Sequence, residues 1–273
     1  MMTLGGILVV YIAAMTLVYA FQRRMVFPGP SAEEPHCHRP GKYLVFEAPS
    51  GRKVHTVHFP AREGEPTVAV FHGNGETLAS TVPLLEVLAR EGLGAYGVEY
   101  PGYGPASSYS PSESALYEDA QAALDHLEQQ MGVSRGQVVL MGRSLGTGVA
   151  VEMARRGYGG RMILVSPFTS MPDVAARIFP YLFPRLLMRD RFDNLGKAPR
   201  IGIPTLVIHG SEDKLVPMAM GRRLAETIPN ARLVVVEGGS HNDLLAEEPD
   251  IDPSAVVGFA RPRRHIRRAA GRN

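Results

Sequence analysis

A single cysteine, Cys37, stands in the 273-residue chain, so no internal disulfide can form and the fold has to be held by its core. The same scarcity argues against a metal. His36-Cys37-His38 offers ligand-type side chains, but no second cluster stands at ligand spacing, and the tripeptide reads as loop ahead of the first strand. The glycine-rich stretch 142–148 lacks the Gly-Lys-Ser/Thr ending of a phosphate loop, and its spacing does not match the dinucleotide fingerprint, so no cofactor is expected. Internal repeats and low-complexity tracts are also missing. The net charge of +2 conceals one imbalance: residues 261–273 hold six arginines and no acid. A short arginine-rich tail without aromatic interleaving fits a solvated or lipid-facing end better than a nucleic-acid reader.

Charge is absent from Leu4 to Phe21, and Gln22-Arg23-Arg24 follows at once. As a helix this run would reach about 27 Å, against a hydrocarbon core of about 30 Å. Residues 1–24 are therefore expected to form a single-pass membrane anchor. The alternative is a cleaved signal segment ending after Ala20, with Val18 and Ala20 as the small-residue site but without a basic n-region. The arginines after the run, and none before it, place the following domain in the cytoplasm by positive-inside bias; export after cleavage is the alternative.

With 45% hydrophobic residues, the rest of the chain can bury one sizeable core, expected over residues 40–260. Tyr43–Phe46 and Lys53–Phe59 read as a hairpin around the turn Pro49-Ser50-Gly51. Continuous apolar runs follow at Thr67–Phe71, Leu93–Glu99, Val138–Met141, Arg161–Val165, Thr205–His209 and Leu233–Glu237, as expected of strands buried on both faces. Helical patterns at Thr81–Arg90, Ser114–Met131 and Leu145–Arg156 alternate with them. That order predicts an α/β fold with a mostly parallel central sheet flanked by helices, whose ligands bind beyond the carboxyl ends of the strands.

Those strand ends carry the chemistry. Gly142-Arg143-Ser144-Leu145-Gly146 lies between a strand and a helix, the context of a turn that lifts a serine hydroxyl clear of the sheet. A serine is a poor nucleophile until a base takes its proton and a third group orients that base. Asp213 follows the Thr205–His209 strand and His241 follows the last one, in Gly238-Gly239-Ser240-His241-Asn242-Asp243. Either could be an ordinary loop residue, but together with Ser144 they give the chain order serine, acid, histidine. Glu212 is the alternative acid; His55, His58, His126 and His209 do not follow the last strand. The turn His72-Gly73-Asn74-Gly75 closes the third strand. There the backbone N–H of Asn74, beside that of Leu145, is expected to form an oxyanion hole.

On these motifs, together with Glu99-Tyr100-Pro101-Gly102-Tyr103-Gly104 and the apolar N-terminus, the chain resembles an α/β-hydrolase over about residues 1–250. It is similar to the membrane-anchored group that includes fungal polarity-associated hydrolases and animal palmitoyl-protein depalmitoylases. The resemblance implies the α/β-hydrolase fold and maps a triad onto Ser144, Asp213 and His241. Glu99 and Pro101 depart from the Asp-Tyr-Arg-Gly-Tyr-Gly usual in such families.

Between Val165 and Thr205 a long excursion carries Phe168, Phe179, Phe183 and Phe192, and residues of about 168–198 are expected to form a small helical cap. Phe168, Met171 and Phe179 are its candidate substrate contacts, with ordinary packing against the sheet as the alternative. The expected function is a serine hydrolase cleaving carboxylic ester or thioester bonds of lipid-like or acylated substrates, small molecules among them, through an acyl-enzyme. A serine peptidase and a non-catalytic ligand-binding or scaffold protein are the other readings.

Overall fold

A computed structural model describes residues 4–242, 244 and 253–261. The arginine tail beyond Arg261, Met1-Met2-Thr3 and Asp243 lie outside them. Among the described residues eight strands form one sheet: β1 (Lys42–Glu47), β2 (Lys53–Phe59), β3 (Thr67–Phe71), β4 (Gly94–Val98), β5 (Val138–Arg143), β6 (Arg161–Val165), β7 (Thr205–Gly210) and β8 (Ala231–Val236). Their order is β1-β2-β4-β3-β5-β6-β7-β8. β1 and β2 form the antiparallel hairpin, β2 joins β4 antiparallel, and every later pair is parallel. β8 begins two residues before its expected start, because Ala231 already pairs with Thr205.

Successive side chains of a strand point to opposite faces, and the two cores follow that alternation. Ala69 and Phe71 of β3 pack into one core with α3 (Glu113–Met131), α4 (Leu145–Arg155) and α8 (Met218–Thr227). Val68 and Val70 pack into the other, beneath α2 (Leu78–Arg90) and α9 (Pro253–Ala260). Thr77 starts α2 through a capping box with Ser80, three residues ahead of the apolar pattern's expected start.

The excursion between β6 and β7 holds three short helices, α5 (Met171–Ile178), α6 (Pro184–Leu187) and α7 (Asn194–Lys197). Its phenylalanines divide. Phe179 and Phe183 are exposed, whereas Phe192 is buried in the sheet core against Gly148, where a methyl group would already collide with its ring.

The N-terminal run is where the fold departs from expectation. It forms α1 (Leu4–Val26), but among the described residues no helix is long and apolar enough to cross a membrane. The helix continues through Gln22-Arg23-Arg24 instead of ending before them. Its least exposed described side chains, at 15, 18, 22 and 26, form a stripe at helical spacing turned toward the protein. The expected single-pass anchor is therefore not supported, and the cytoplasmic placement that rested on it falls with it.

Candidate active site

The turn after β5 is specified by two close approaches. A side chain on Gly142 would meet the Gly146 carbonyl, and one on Gly146 would strike the Phe71 carbonyl of β3. Only glycines let strand and helix come together so closely. Between them Ser144 has φ 46° and ψ −114°, a strained conformation for a non-glycine residue, fixed in part by its N–H donating to the Val165 carbonyl at 2.9 Å. Strain of this kind is what the strand-turn-helix elbow imposes on its serine.

The structure brings Ser144, Asp213 and His241 together. His241 Nε2 lies 3.0 Å from Ser144 Oγ, and Nδ1 lies 2.7 Å from Asp213 Oδ2. With Nδ1–H donating to the carboxylate, Nε2 is left to accept the serine proton. Asp213 is buried and its Oδ1 accepts the N–H groups of Leu215 at 3.0 Å and Val216 at 2.8 Å. Burial alone would raise its pKa; hydrogen bonds from His209, His241 and the Val216 N–H outweigh that and hold the carboxyl well below the usual carboxylate range. Glu212, the other acid considered, is exposed.

The turn after β3 faces the same serine. Asn74 and Leu145 line one cavity with Ser144. Leu145 opens α4, and the first N–H groups of a helix have no internal acceptor, so they favour negative charge placed there. Asn74 is held by its side chain, which donates to the Val26 carbonyl at 2.8 Å and accepts from Tyr103 Oη. Behind it Glu99 is fully enclosed: it accepts from His72 Nε2 at 2.8 Å and from the N–H groups of Leu78 and Tyr100. Gly104 leaves the room this longer acid needs, since a side chain there would strike Glu99 Oε2.

Three contributors escaped the sequence reading. His209, set aside as a base, is fully buried behind Asp213, donates from Nε2 to the Val216 carbonyl at 2.8 Å and stands 3.4 Å from Asp213 Oδ2. Arg143 pairs with Glu76, which also accepts the Gly73 N–H, and its other nitrogen donates to the His241 carbonyl and to Asn242 Oδ1, each at 3.3 Å. One guanidinium thus ties the loop after β3 to the loop carrying the histidine. The third contributor is α1.

The cavity over Ser144 has a volume of about 260 Å³ and is almost entirely apolar. Phe168, Met171 and Phe179, the expected substrate contacts, all line it, joined by Ile178, Leu187 and Leu215. Its opposite wall is α1, through Met15, Val18, Tyr19, Gln22, Met25 and Val26. Among the described residues that line it, none is Asp, Glu, Lys or Arg.

Comparison with known proteins agrees with this architecture. Residues 62–195 match the family model described as serine aminopeptidase S33, and residues 180–248 match the α/β hydrolase fold model. The chain is 34% identical over 84% of its length to an uncharacterized protein of Mycobacterium tuberculosis, covering 83% of it. It is 35% identical over 65% of its length to α/β hydrolase domain-containing protein 17C of Mus musculus, covering 55% of that protein. Among solved structures, a Pyrococcus furiosus esterase superposes with a TM-score of 0.69 at 18% identity, with 85% of this chain and 97% of that one covered. A puromycin hydrolase gives 0.64 at 20% identity over 81% of this chain, which spans only 38% of that larger protein. The fold and the spacing of its strand-end loops thus define a class, the hydrolases built on a mostly parallel sheet. The chain belongs to the α/β-hydrolase superfamily.

Proposed function

We propose that the protein is a serine hydrolase of carboxylic esters or thioesters with acylated or lipid-like character, kin in activity to the depalmitoylase group it resembles. The observation that carries this reading is the Ser144–His241–Asp213 relay opening directly into an apolar cavity. Ser144 Oγ attacks the substrate carbonyl carbon while its proton passes to His241 Nε2. The charge arising on His241 is stabilised through Nδ1–H by Asp213. The carbonyl oxygen, now negative, accepts from the N–H groups of Asn74 and Leu145. Collapse of the tetrahedral intermediate expels the alkoxide or thiolate, which takes the proton from His241. Water, deprotonated by the same nitrogen, then attacks the acyl-enzyme and releases the carboxylic acid and free Ser144.

A peptidase is the second reading, favoured by the serine aminopeptidase model. Against it, an aminopeptidase needs a carboxylate to hold the free amine of its substrate, and among the described residues no acid lines this cavity. The deciding experiment combines a fluorophosphonate probe with parallel ester, thioester and amide panels. Wild type should be labelled and should hydrolyse the first two, and Ser144→Ala should lose labelling and, on the order of 10⁶-fold, turnover. Labelling of folded Ser144→Ala overturns the nucleophile, amide preference favours the peptidase, and an unlabelled, inactive wild type favours a binding protein.

A further inference from the structure

We propose that α1 is the specificity wall of the substrate site: the acyl chain lies between α1 and the cap, and the residues at successive turns of α1 set how long a chain is accepted. This rests on the hydrolase reading above and goes beyond it by assigning the substrate's length to a helix outside the catalytic loops. Three observations carry it. The stripe that faces inward on α1, from Val26 back through Gln22 and Val18 to Met15, lines the same cavity as Ser144. That stripe starts at the reacting end, because the Val26 carbonyl is gripped by Asn74 of the oxyanion turn. And α1 is fastened to the cap along its length, so its inner face is held in place as a wall.

The fastenings are polar and specific. Gln22, itself buried, accepts the Arg189 N–H at 2.8 Å and donates toward the Leu187 carbonyl. Arg23 grips both oxygens of Asp190, at 2.9 and 3.4 Å, while Asp190 also accepts the Glu113 N–H of α3. Near the far end, Tyr11 Oη donates to the Tyr181 carbonyl at 2.7 Å. At 1.5 Å per residue, the wall runs about 12 Å from Val26 to Val18 and about 16 Å to Met15. The longer reach is comparable with an extended dodecanoyl chain, and the cavity offers that chain side chains of Met, Val, Ile and Leu rather than charge.

The geometry makes a graded prediction, tested on the full-length protein with p-nitrophenyl esters from acetate to palmitate. Val18→Trp, nearer the serine, should lower kcat/KM for the dodecanoate about tenfold or more while leaving the acetate within about threefold. Met15→Trp should spare middle lengths and penalise only the longest chains. Leu17→Trp, on the outward face, should leave the profile unchanged. An unchanged profile in Val18→Trp and Met15→Trp, with ester turnover intact, overturns the wall. Calorimetric binding of dodecanoate to Ser144→Ala reads the wall without turnover. Binding that Val18→Trp weakens about tenfold supports it even if wild type cleaves no ester, whereas equal binding in both proteins overturns it.

Discussion

The two sides of the cavity are built on different terms. On the sheet side, Ser144, Asp213 and His241 sit at strand ends whose backbone leaves no freedom: two glycines meet neighbouring carbonyls, the serine is strained, and the aspartate takes two backbone N–H groups as well as the histidine. Across from them, α1 and the cap are helices with an apolar inner face and several exposed large side chains, joined by a few polar fastenings. On the proposed function, a site of this design separates chemistry from selection. Bond breaking needs atoms fixed to within a few tenths of an ångström. Selecting a chain needs only a surface of the right length.

The comparison would break most visibly if changes on the sheet side were mild. His241→Ala is expected to cost kcat on the order of 10⁶-fold, as much as loss of the serine, because neither works without the other. Asp213→Asn should cost less, on the order of 10⁴-fold, since the acid orients the base and stabilises its charged form. Glu212→Gln is the matched control on the exposed neighbour and should be neutral. Steady-state turnover of a short ester reads all three, and the reverse order for Glu212 and Asp213 would show that the acid has been misassigned.

That side of the site was also the more legible in the sequence. Gly142, Ser144 and Gly146 are required at fixed spacing by contacts that any strand-turn-helix elbow makes, and Asp213 and His241 announce themselves by following apolar strands. Strands buried on both faces gave equally plain runs, although β8 and α2 begin earlier than their apolar patterns, where pairing with Thr205 and the Thr77–Ser80 box decide the boundary. What could not be read was partnership across distance. An apolar helix such as α1 carries the same periodicity whether its neighbour is lipid or a cap, and only Gln22, buried inside an otherwise apolar stripe, hints at a protein partner. Arg143 likewise occupies a variable position of its motif, and nothing local tells that it reaches Glu76 and the His241 loop. α8 escaped notice because Met218–Thr227 is short, carries Gly221 in its interior and is charged at Arg222, Arg223 and Glu226.

Arg143 belongs to the sheet side without lining the cavity, and it is expected to act by positioning. Arg143→Met should lower kcat about 10- to 100-fold, because the histidine loop and the turn after β3 lose their common tie and a small displacement of reacting groups is costly. Fluorophosphonate labelling should slow but persist, which separates positioning from loss of the nucleophile. Arg143→Lys keeps the charge but not the fork, and so should recover only part of the rate. Full activity in Arg143→Met would mean that the two loops hold their places unaided.

The smallest expected effect lies where the two sides meet away from the cavity. Glu152 of α4 is buried, and its carboxylate takes Arg155 and Arg156 at the end of its own helix and Lys197 from α7 in the cap excursion. Burial by itself would raise its pKa, but hydrogen bonds from these three cations outweigh it and pull the group from 4.5 down to about 2. Because the folded pKa lies below the unfolded one, the stabilisation is fully present above about 4.5 and disappears as pH falls toward about 2. Glu152→Gln should therefore unfold at lower temperature at neutral pH, by a stability difference on the order of 2 kcal/mol. The difference should shrink through that acid window. Activity per folded molecule should not change, since Glu152 does not line the cavity. Thermal unfolding followed across pH reads the first claim and turnover at saturating ester the second. A gap in Tm that held constant down to about pH 3 would show that the ionised carboxylate is not what joins α4 to the cap.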